Sequence, residues 1–413
     1  AAATARIRFQ SSARNAEEAF NQVPGDNRVD PGLLFDRARW LRRRDREGEG
    51  RAVLLQAAQR IDATAPDVDA WWDELNVQAR KALDSGQIAD AYTLAANHKI
   101  RFEDNSVDAA EGEFLAGWIA LQFQNRPDVA LRHFRNLRQG VTAPISAARG
   151  HYWAGRALDK AGRASEARSE YEAAGKFPMT YYGMLALQQV AGKVRLSVPA
   201  GFRPNGDRRF AERPVVAAMR ALADIGEQGR MRSFILAAGE AMDNGQDYAN
   251  LVAEVRAAGE PAMALRIAKR ALQKNLPLFE LAYPTIQTPV YAGSGPQPET
   301  AMVFGIIRQE SEFDPAVRSN ANARGLMQLI PSTARMTANR HGIAYGGPDG
   351  LYNASQNMQL GMAHMGDLLS DYAGSYVMTA GAYNAGGGRV NEWTGRFGDP
   401  RSSSVDVVDW VER

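Results

Sequence analysis

The sequence predicts an all-α protein in which a solenoid of paired helices precedes a separate, mainly helical module. Three observations support this fold class: a repeated helix-pair pattern, two interruptions rich in Pro and Gly, and a new run of apolar residues at helical spacing after the second interruption. The chain has 413 residues, of which 45% are hydrophobic and 23% are charged. This length and composition fit a globular protein of two or three domains.

The repeat is clearest between Glu111 and Pro178, where "AGWIALQFQNRPDVALRHFRNL" aligns with "WAGRALDKAGRASEARSEYEAA". In both copies an apolar helix leads to a residue suited to a left-handed turn, Asn125 or Gly162. A second helix follows, with an Ala and an aromatic residue four positions apart on one face. Such a hairpin buries its apolar face only by stacking on neighbouring hairpins, which predicts a solenoid.

Weaker copies of the hairpin start at Ala79 ("ARKALDSGQIADAYTLAA") and at Val255 ("VRAAGEPAMALRIAKRAL"). They resemble tetratricopeptide-like repeats, so the solenoid is predicted to run from about residue 15 to about residue 285. We expect the Trp and other aromatic residues of this region to pack in its core.

Two segments interrupt the pattern, "SVPAGFRPNGDRRF" at 197–210 and "YPTIQTPVYAGSGPQPE" at 283–299. Their Pro and Gly residues prevent a continuous helix, and the second segment marks the stronger boundary. We therefore expect an N-terminal α-superhelical domain at 1–196, a helical linker domain at 197–288 and a third domain at 289–413.

Composition excludes several classes of function. A net charge of +2 is too mild to indicate a nucleic-acid partner, and no apolar run approaches the roughly 20 residues of a membrane span. Cysteine is absent, which excludes disulfides and Cys-ligated metals. The five His residues show no metal-ligand spacing, and "NAGGGR" lacks the Lys of a P-loop, so we expect no cofactor and no metal. The opening "AAATARIRF" shows no signal-peptide pattern and leaves open whether a processed leader preceded it.

A carboxylate on an apolar helix face is the strongest candidate for chemistry. In "PETAMVFGIIRQESEF", the residues Val303, Ile306, Ile307 and Glu310 are spaced by threes and fours and share one stripe. Burial of a carboxylate raises its pKa, and a carboxyl group that keeps its proton near neutral pH can act as a general acid. Glu310 is therefore predicted to be an acid catalyst.

The neighbouring acids are predicted to have other roles. Glu312 lies about 200° further round a continued helix, which favours a solvent-facing surface charge. Asp314 precedes a Pro and is predicted to be a turn residue. For Glu310 itself, periodicity leaves one alternative open, a buried structural ion pair with an Arg such as Arg324.

Two further motifs follow Glu310. In "GLMQLIPSTA", Gly325 permits a tight turn and Pro331 suits the start of a helix. In "GSYVMTAGAYNAGGGRVNEW", a helix is predicted to end with Tyr383 and Asn384, before three glycines. The Tyr hydroxyl and the Asn amide are polar groups able to converge on a bound sugar.

The motifs "ES" at 310–311, "GLMQ" at 325–328 and "AYNAG" at 382–386, in this order, resemble the soluble lytic transglycosylases of bacterial cell-wall turnover. The sequence is also similar, more distantly, to goose-type lysozyme. The resemblance covers the whole chain, because soluble members of the family carry a long helical superhelix ahead of a lysozyme-like catalytic domain. It implies a lysozyme-like, mainly helical catalytic domain at 289–413.

The resemblance also implies roles for individual residues. Glu310 would be the single catalytic acid and base, which protonates the glycosidic oxygen between N-acetylmuramic acid and N-acetylglucosamine and then deprotonates the muramoyl 6-hydroxyl, giving a 1,6-anhydro product. The implied substrate-binding residues are Ser311, Ser319, Met327, Gln328, Tyr383 and Asn384.

A single acid agrees with the reasoning from residue positions. Retaining glycosidases need a second carboxylate about 5 Å away, unless the N-acetyl group of the substrate replaces it. The other acids considered, Asp349, Asp367 and Asp371, are predicted to be solvated side chains. Two alternatives stay open: a lysozyme-type hydrolase of the same bond, and a non-catalytic glycan-binding scaffold, against which the intact Glu310 argues.

The resemblance further implies peptidoglycan strands as the partner, other cell-wall enzymes as partners of the solenoid, and the periplasm of a Gram-negative bacterium as the location. The family usually continues with a segment containing Ile-Pro, Thr-Arg and Tyr-Val and a further helix, whereas this sequence ends at "VVDWVER". Either the sequence is trimmed here or the segment is absent from it. If the protein ends at this point, we expect part of the cleft wall to be missing, which affects the affinity for substrate more than the identity of the acid.

Overall fold

A computed structural model describes residues 1–60, 68–102, 107–192, 198 and 200–413. The chain divides into two compact units, the first formed by 1–200 with 273–275 and the second by 201–272 with 276–413. Regular structure in the described ranges is helical, and extended pairing is limited to the isolated bridges Arg318–Arg324 and Arg324–Leu329. The predicted all-α class is thereby confirmed.

The first unit is a succession of paired helices. Its described helices are α1 (Ala2–Gln10), α2 (Ala16–Asn21), α3 (Pro31–Arg42), α4 (Glu47–Ala58), α5 (Val68–Asp84), α6 (Ile88–Ala96), α7 (Val107–Gln122), α8 (Pro127–Gly140), α9 (Pro144–Lys160), α10 (Ala164–Gly175) and α11 (Tyr181–Ala191), with a 3₁₀ turn at Gly25–Asn27.

The predicted hairpins correspond to α7–α8 and α9–α10. Asn125 and Gly162 have φ angles of 52° and 75°, so both hairpins turn through the left-handed region as expected. The helices of each pair approach closely because a glycine of one helix lies under an aromatic ring of the other. A Cβ at Gly117 would stand 2.7 Å from the ring of Phe134, which is fully buried.

The second unit begins with helices of the same kind and continues with the module predicted to be separate. Its helices are α12 (Arg208–Ala211), α13 (Pro214–Asp224), α14 (Gln228–Ala241), α15 (Gly245–Ala257), α16 (Pro261–Gln273), α17 (Phe279–Ala282), α18 (Thr300–Glu310), α19 (Pro331–His341), α20 (Gly347–Gly350), α21 (Ala354–Asp371), α22 (Tyr376–Ala385), α23 (Gly387–Phe397) and α24 (Val407–Glu412).

The weaker repeat copies and the second interruption also agree with the prediction. Gly86 and Gly259, with φ angles of 73° and 80°, end α5 and α15 before the partner helices α6 and α16. Residues 283–299 contain no helix. Of the first interruption only 198 and 200–210 are described. The proposed domain boundaries within the second unit stay a prediction, because 201–272 and 276–413 form one compact body.

Separate apolar clusters support the two halves of the second unit. One cluster contains residues of α12 to α17, and another joins α18 and α21 through Val303, Ile307, Met358 and Met362. Helix α18 is thus held by its own apolar face against α21. In the described part of the chain, no helix has the length and apolar character to cross a membrane.

Candidate active site

Glu310 is the last residue of α18, and its side chain is partly buried. The predicted stripe is present, since Val303 and Ile307 are fully buried and Ile306 packs at the edge of the same cluster. Burial raises the pKa of Glu310 above the ordinary value of a glutamic acid. The C-terminal end of the helix therefore carries a carboxyl group whose protonated form is favoured.

The alternative of a structural ion pair with Arg324 is wrong. The Arg324 guanidinium contacts Asp349 at 2.7 Å and donates hydrogen bonds to the side chain of Asn322. In residues 200–413, all of which are described, the carboxylate of Glu310 has no ion pair and no hydrogen bond. Its proton and its lone pairs are available to a ligand.

Ser311 ends α18 and joins it to the "GLMQ" loop. Its hydroxyl is buried and lies 3.1 Å from the carbonyl oxygen of Ile307 and 2.7 Å from that of Leu326. A buried hydroxyl with these backbone partners fixes the end of the helix beside the loop. This placement favours the orienting role of Ser311 over direct contact with a sugar.

The prediction for Glu312 is wrong. Its side chain is only 17% exposed and forms ion pairs with Arg266 and Lys269 of α16. The helical wheel fails because α18 ends at Glu310 and Glu312 has a φ of 53°, so the chain leaves the helix before Glu312. The turn at Asp314 is confirmed, since its carboxylate accepts the N–H of Ala316 at 2.8 Å.

The "GLMQ" loop is organised by Asn357 of α21, which sequence reasoning missed. Asn357 is fully buried, accepts the N–H of Met327 at 2.7 Å, and donates to the carbonyl oxygens of Arg324 at 2.8 Å and Leu351 at 2.9 Å. The only signal in the sequence was a polar residue on the apolar face of α21, beside Met358. Asn357 satisfies loop backbone groups that have no partner in a helix or sheet.

Tyr383 connects α22 to the same loop. Its hydroxyl donates to the carbonyl oxygen of Met327 at 2.7 Å, and the side chain of Met327 is fully buried. Burial, together with the negative charge of Glu310, raises the pKa of Tyr383. Tyr383 is therefore a neutral hydrogen-bond donor close to Glu310.

The other predicted substrate-binding residues, Gln328, Ser319 and Asn384, differ in whether their side chains are already hydrogen-bonded. The side-chain amide of Gln328 donates to the carbonyl oxygens of Val317 and Gly325, at 3.1 and 2.9 Å. Ser319 accepts the N–H of Ala323 at 3.0 Å within its own loop. Asn384 is exposed on the last turn of α22. The structure thus brings Glu310, Ser311, Met327 and Tyr383 together, while Gln328 and Ser319 bind backbone and Asn384 faces solvent.

His364 is a second residue that sequence reasoning missed. The centre of its ring lies 5.7 Å from that of Tyr383, and burial lowers its pKa below the ordinary value of a histidine. A neutral imidazole packed on the phenol restricts the position of the Tyr383 ring. No local pattern distinguishes His364, because its partner lies on another helix.

The other acids that were considered, Asp349, Asp367 and Asp371, are exposed or paired with other side chains. Asp349 is 93% exposed and pairs with Arg324, and Asp371 is exposed, as predicted. For Asp367 the prediction of a solvated side chain is wrong, because it is partly buried between Arg340 at 2.9 Å and His341 at 3.1 Å. Arg340 compensates its charge, and the His341 ring lies within hydrogen-bond distance of the same carboxylate.

The part of the chain that contains this site is similar to a known protein family. Residues 290–404 match the family model described as the Transglycosylase SLT domain. This segment of the chain is similar to a transglycosylase SLT domain. The site described above, with Glu310, Tyr383 and the "GLMQ" loop, lies entirely within this matched segment.

Similar proteins carry related names. The chain is 30% identical over 220 residues to a putative soluble lytic murein transglycosylase of Haemophilus influenzae, covering 52% of this chain and 36% of the relative. It is 27% identical over 277 residues to the soluble lytic murein transglycosylase of Salmonella typhimurium, covering 63% of this chain and 40% of the relative. The chain therefore spans well under half the length of these two relatives.

Solved structures extend the likeness to both units. The 70 kDa soluble lytic transglycosylase of Escherichia coli matches with a TM-score of 0.55 at 19% identity, over 99% of this chain and 74% of the other. An inactive mutant of the lytic transglycosylase Slt from Pseudomonas aeruginosa matches with a TM-score of 0.57 at 19% identity, over 100% and 74%. The predicted fold class, an α-superhelix followed by a lysozyme-like helical domain, is confirmed.

Proposed function

We propose that this protein is a peptidoglycan lytic transglycosylase. It cleaves the β-1,4 bond between N-acetylmuramic acid and N-acetylglucosamine without water and leaves a 1,6-anhydromuramoyl end. The observation that carries the proposal is Glu310, a half-buried carboxyl group with a raised pKa and no ion-pair or hydrogen-bond partner among the described residues, inside the segment that matches the SLT domain. The names of the relatives support the same activity.

In the first step, Glu310 acts as a general acid. Its raised pKa favours the protonated form, and the proton of the carboxyl group is transferred to the glycosidic oxygen as the bond to the anomeric carbon breaks. The leaving N-acetylglucosamine retains that proton as a hydroxyl group. Positive charge develops on the muramoyl ring, beside a carboxylate that has just become negative.

In the second step, the same carboxylate acts as a base. It removes the proton of the muramoyl 6-hydroxyl, whose oxygen forms the new bond to the anomeric carbon. Glu310 ends the cycle protonated, so no water is consumed and no second acid is required. Burial is the cause of the raised pKa of Glu310. Among residues 200–413, all of which the structure describes, no neighbouring carboxylate contributes to this shift. That isolation disfavours a retaining hydrolase with a second carboxylate about 5 Å away, and it is compatible with a nucleophile supplied by the substrate itself, the role proposed for the muramoyl 6-hydroxyl.

The surrounding residues are proposed to shape the cleft. Tyr383 holds the Met327 carbonyl and limits the position of the acid, while Ser311 fixes the helix end. Met327 acts through its backbone, since its side chain is buried. Asn384 is exposed and is proposed to offer its amide to the sugar.

Two residues are proposed to contact substrate through the groups their internal bonds leave free. Gln328 uses its amide nitrogen on backbone carbonyls, which leaves its carbonyl oxygen for the sugar. Ser319 accepts a backbone N–H, which leaves its hydroxyl proton to donate. A peptidoglycan substrate places the protein in the periplasm, with the solenoid of the first unit as a surface for the polymer or for other cell-wall enzymes.

The test is mass spectrometry of the soluble products released from purified sacculi. Wild-type protein is expected to release muropeptides lighter than their hydrated counterparts by the mass of one water, and Glu310→Gln is expected to release none. Asp371→Asn is the matched control, because it removes an exposed carboxylate of the same domain and is expected to release wild-type products. Reducing ends would identify a hydrolase, and no release by the wild type would contradict the proposal in favour of a binding scaffold.

A further inference from the structure

The residue two positions after Glu310 connects the SLT domain to a helix outside the matched segment. The carboxylate of Glu312 pairs with Arg266 and with Lys269, at 2.7 Å for the latter, and both cations belong to α16. Burial favours the neutral form of Glu312, but the hydrogen bonds from Lys269 and Arg266 outweigh it and lower its pKa. The cluster is therefore fully charged and half-buried, which distinguishes it from an ordinary exposed ion pair.

The backbone at Glu312 needs such support. Glu312 and Phe313 have φ angles of 53° and 65°, a left-handed conformation that side chains with a Cβ disfavour. Two consecutive residues of this kind persist only where surrounding contacts fix them. The strained turn begins one residue after Ser311, so any relaxation of it displaces the end of α18, where Glu310 lies.

Three contacts fix the turn, and each acts on a different residue. Ser311 bonds the carbonyl of Leu326, and the ring of Phe313 packs 6.1 Å from that of Phe304. Glu312 supplies the third contact through the cations of α16. Earlier in α18, Arg308 donates to the carbonyl oxygen of Ala282 at 2.9 Å and lies over the ring of Tyr283. The last turn of α18 is thus attached to 261–283, which precedes the SLT domain.

We propose that Arg266, Lys269 and Glu312 form a clamp that positions Glu310 for proton transfer. The proposal rests on the function proposed above. The clamp residues are positioning residues, because they act through the backbone of Glu310 and do not themselves contact the reacting atoms. It follows that α16 of the helical repeat region belongs to the catalytic apparatus, although the SLT family segment begins at residue 290.

If the clamp positions Glu310, breaking it is expected to lower the turnover number without changing the affinity for substrate. Glu312→Gln is expected to lower the turnover number on uncrosslinked peptidoglycan strands by about tenfold to a hundredfold, the effect of a small displacement of a catalytic group. The dissociation constant for the same strands, measured in a Glu310→Gln background, is expected to stay unchanged. The pH profile is expected to keep its position, because burial raises the pKa of Glu310 and the charges of the Glu312 cluster do not contribute to it.

A second pair in the same unit supplies the control. Glu254 and Arg220 have side chains 20% and 52% exposed, close to the 17% and 54% of Glu312 and Arg266. Glu254→Gln breaks an ion pair of similar burial far along the chain from the site. It is expected to lower the melting temperature and to leave the turnover number at the wild-type value.

Reversing the charges of the clamp distinguishes an effect on the position of Glu310 from an effect on folding. The combination Glu312→Lys, Arg266→Glu and Lys269→Glu restores opposite charges across the turn and is expected to recover most of the turnover lost in Glu312→Lys alone. If Glu312→Gln does not fold, the double variant Arg266→Gln, Lys269→Gln opens the same clamp from α16 and is expected to show the same loss.

The outcomes distinguish the two proposals. An inactive wild-type protein would contradict the proposed function. An active wild type in which Glu312→Gln turns over as fast as Glu254→Gln would overturn the clamp and leave the function standing. Equal losses in turnover and in strand affinity, or no recovery on charge reversal, would also overturn the clamp, since they indicate a general structural defect.

Discussion

The hydroxyl of Tyr383 donates a hydrogen bond of 2.7 Å to the carbonyl oxygen of Met327, 56 positions earlier in the chain. This bond joins the end of α22 to the loop that follows Glu310. It satisfies a buried carbonyl and holds a neutral phenol near the carboxyl group that we propose to be the acid. The geometry of the site thus depends on a contact between two motifs that were predicted separately.

Tyr383→Phe is expected to destabilise the protein by about 1–3 kcal/mol, because it leaves the Met327 carbonyl buried without a donor. Turnover is expected to fall as the loop loosens. Tyr372→Phe is the control, since the hydroxyl of Tyr372 lies 3.4 Å from its carbonyl partner and forms a weaker bond. Urea unfolding and product release measure the two effects, and equal destabilisation by both substitutions would contradict the importance of the Tyr383 bond.

Gly325→Ala is expected to destabilise the loop by about 2–4 kcal/mol. Gly325 has a φ of 76°, and a Cβ there would stand 2.1 Å from the carbonyl oxygen of Leu351 and 2.4 Å from the amide nitrogen of Asn357. Gly342→Ala is the matched control, because Gly342 has a similar φ of 65° and open space around it. Its cost is expected to be about 1 kcal/mol, from the backbone alone. Thermal unfolding compares the two variants, and similar losses would show that the close approach is tolerated.

Glu310→Gln is expected to stabilise the protein in a pH-dependent manner. The folded-state pKa of Glu310 is raised, so the folded state retains its proton where the unfolded state has lost it, and stability falls as pH rises through that interval. The substitution removes this loss. Its gain in melting temperature is expected at neutral pH and is expected to vanish below the ordinary pKa of glutamic acid, about 4.3.

The same raised pKa sets the pH dependence of turnover. Because the acid must carry its proton to protonate the glycosidic oxygen, activity is expected to fall as pH rises through the pKa of Glu310. Initial rates of product release across pH measure this limb. A rate that increases through the same interval would contradict the role of Glu310 as the acid.

In the first unit, the partly buried carboxylate of Glu113 lies between two histidines. Its carboxylate lies 2.6 Å from Nδ1 of His133 and 3.7 Å from Nε2 of His98. Burial opposes ionisation, but the hydrogen bond with His133 and the nearby His98 lower the pKa of Glu113 to about 2. Its stabilisation is therefore present above the ordinary pKa of glutamic acid and is lost as pH falls through about 2.

Glu113→Gln is expected to lower the urea midpoint of the protein at neutral pH, with a smaller difference from wild type as the pH is lowered. Glu166→Gln is the control, since it breaks an exposed ion pair with Arg163 and is expected to have little effect. A difference that is constant across pH would show that packing, and not the charge of Glu113, carries the stabilisation.

The sequence by itself determined the features that depend on local spacing. Helix pairs, left-handed turns at Asn125 and Gly162, and the apolar stripe that ends at Glu310 follow from interactions within a few residues. The helix start at Pro331 and the turn at Asp314 follow for the same reason.

Only the tertiary structure decided which side chains complete the site. Asn357 reaches the loop from 30 positions away, and Glu312 meets Lys269 from 43 positions away. The helical wheel misplaced Glu312 because it assumes a continuous helix, whereas the buried bonds of Ser311 stop α18 and redirect the chain. Periodicity defines the face of one helix, but the partner of a polar side chain is fixed by the packing of several elements, which local spacing does not encode.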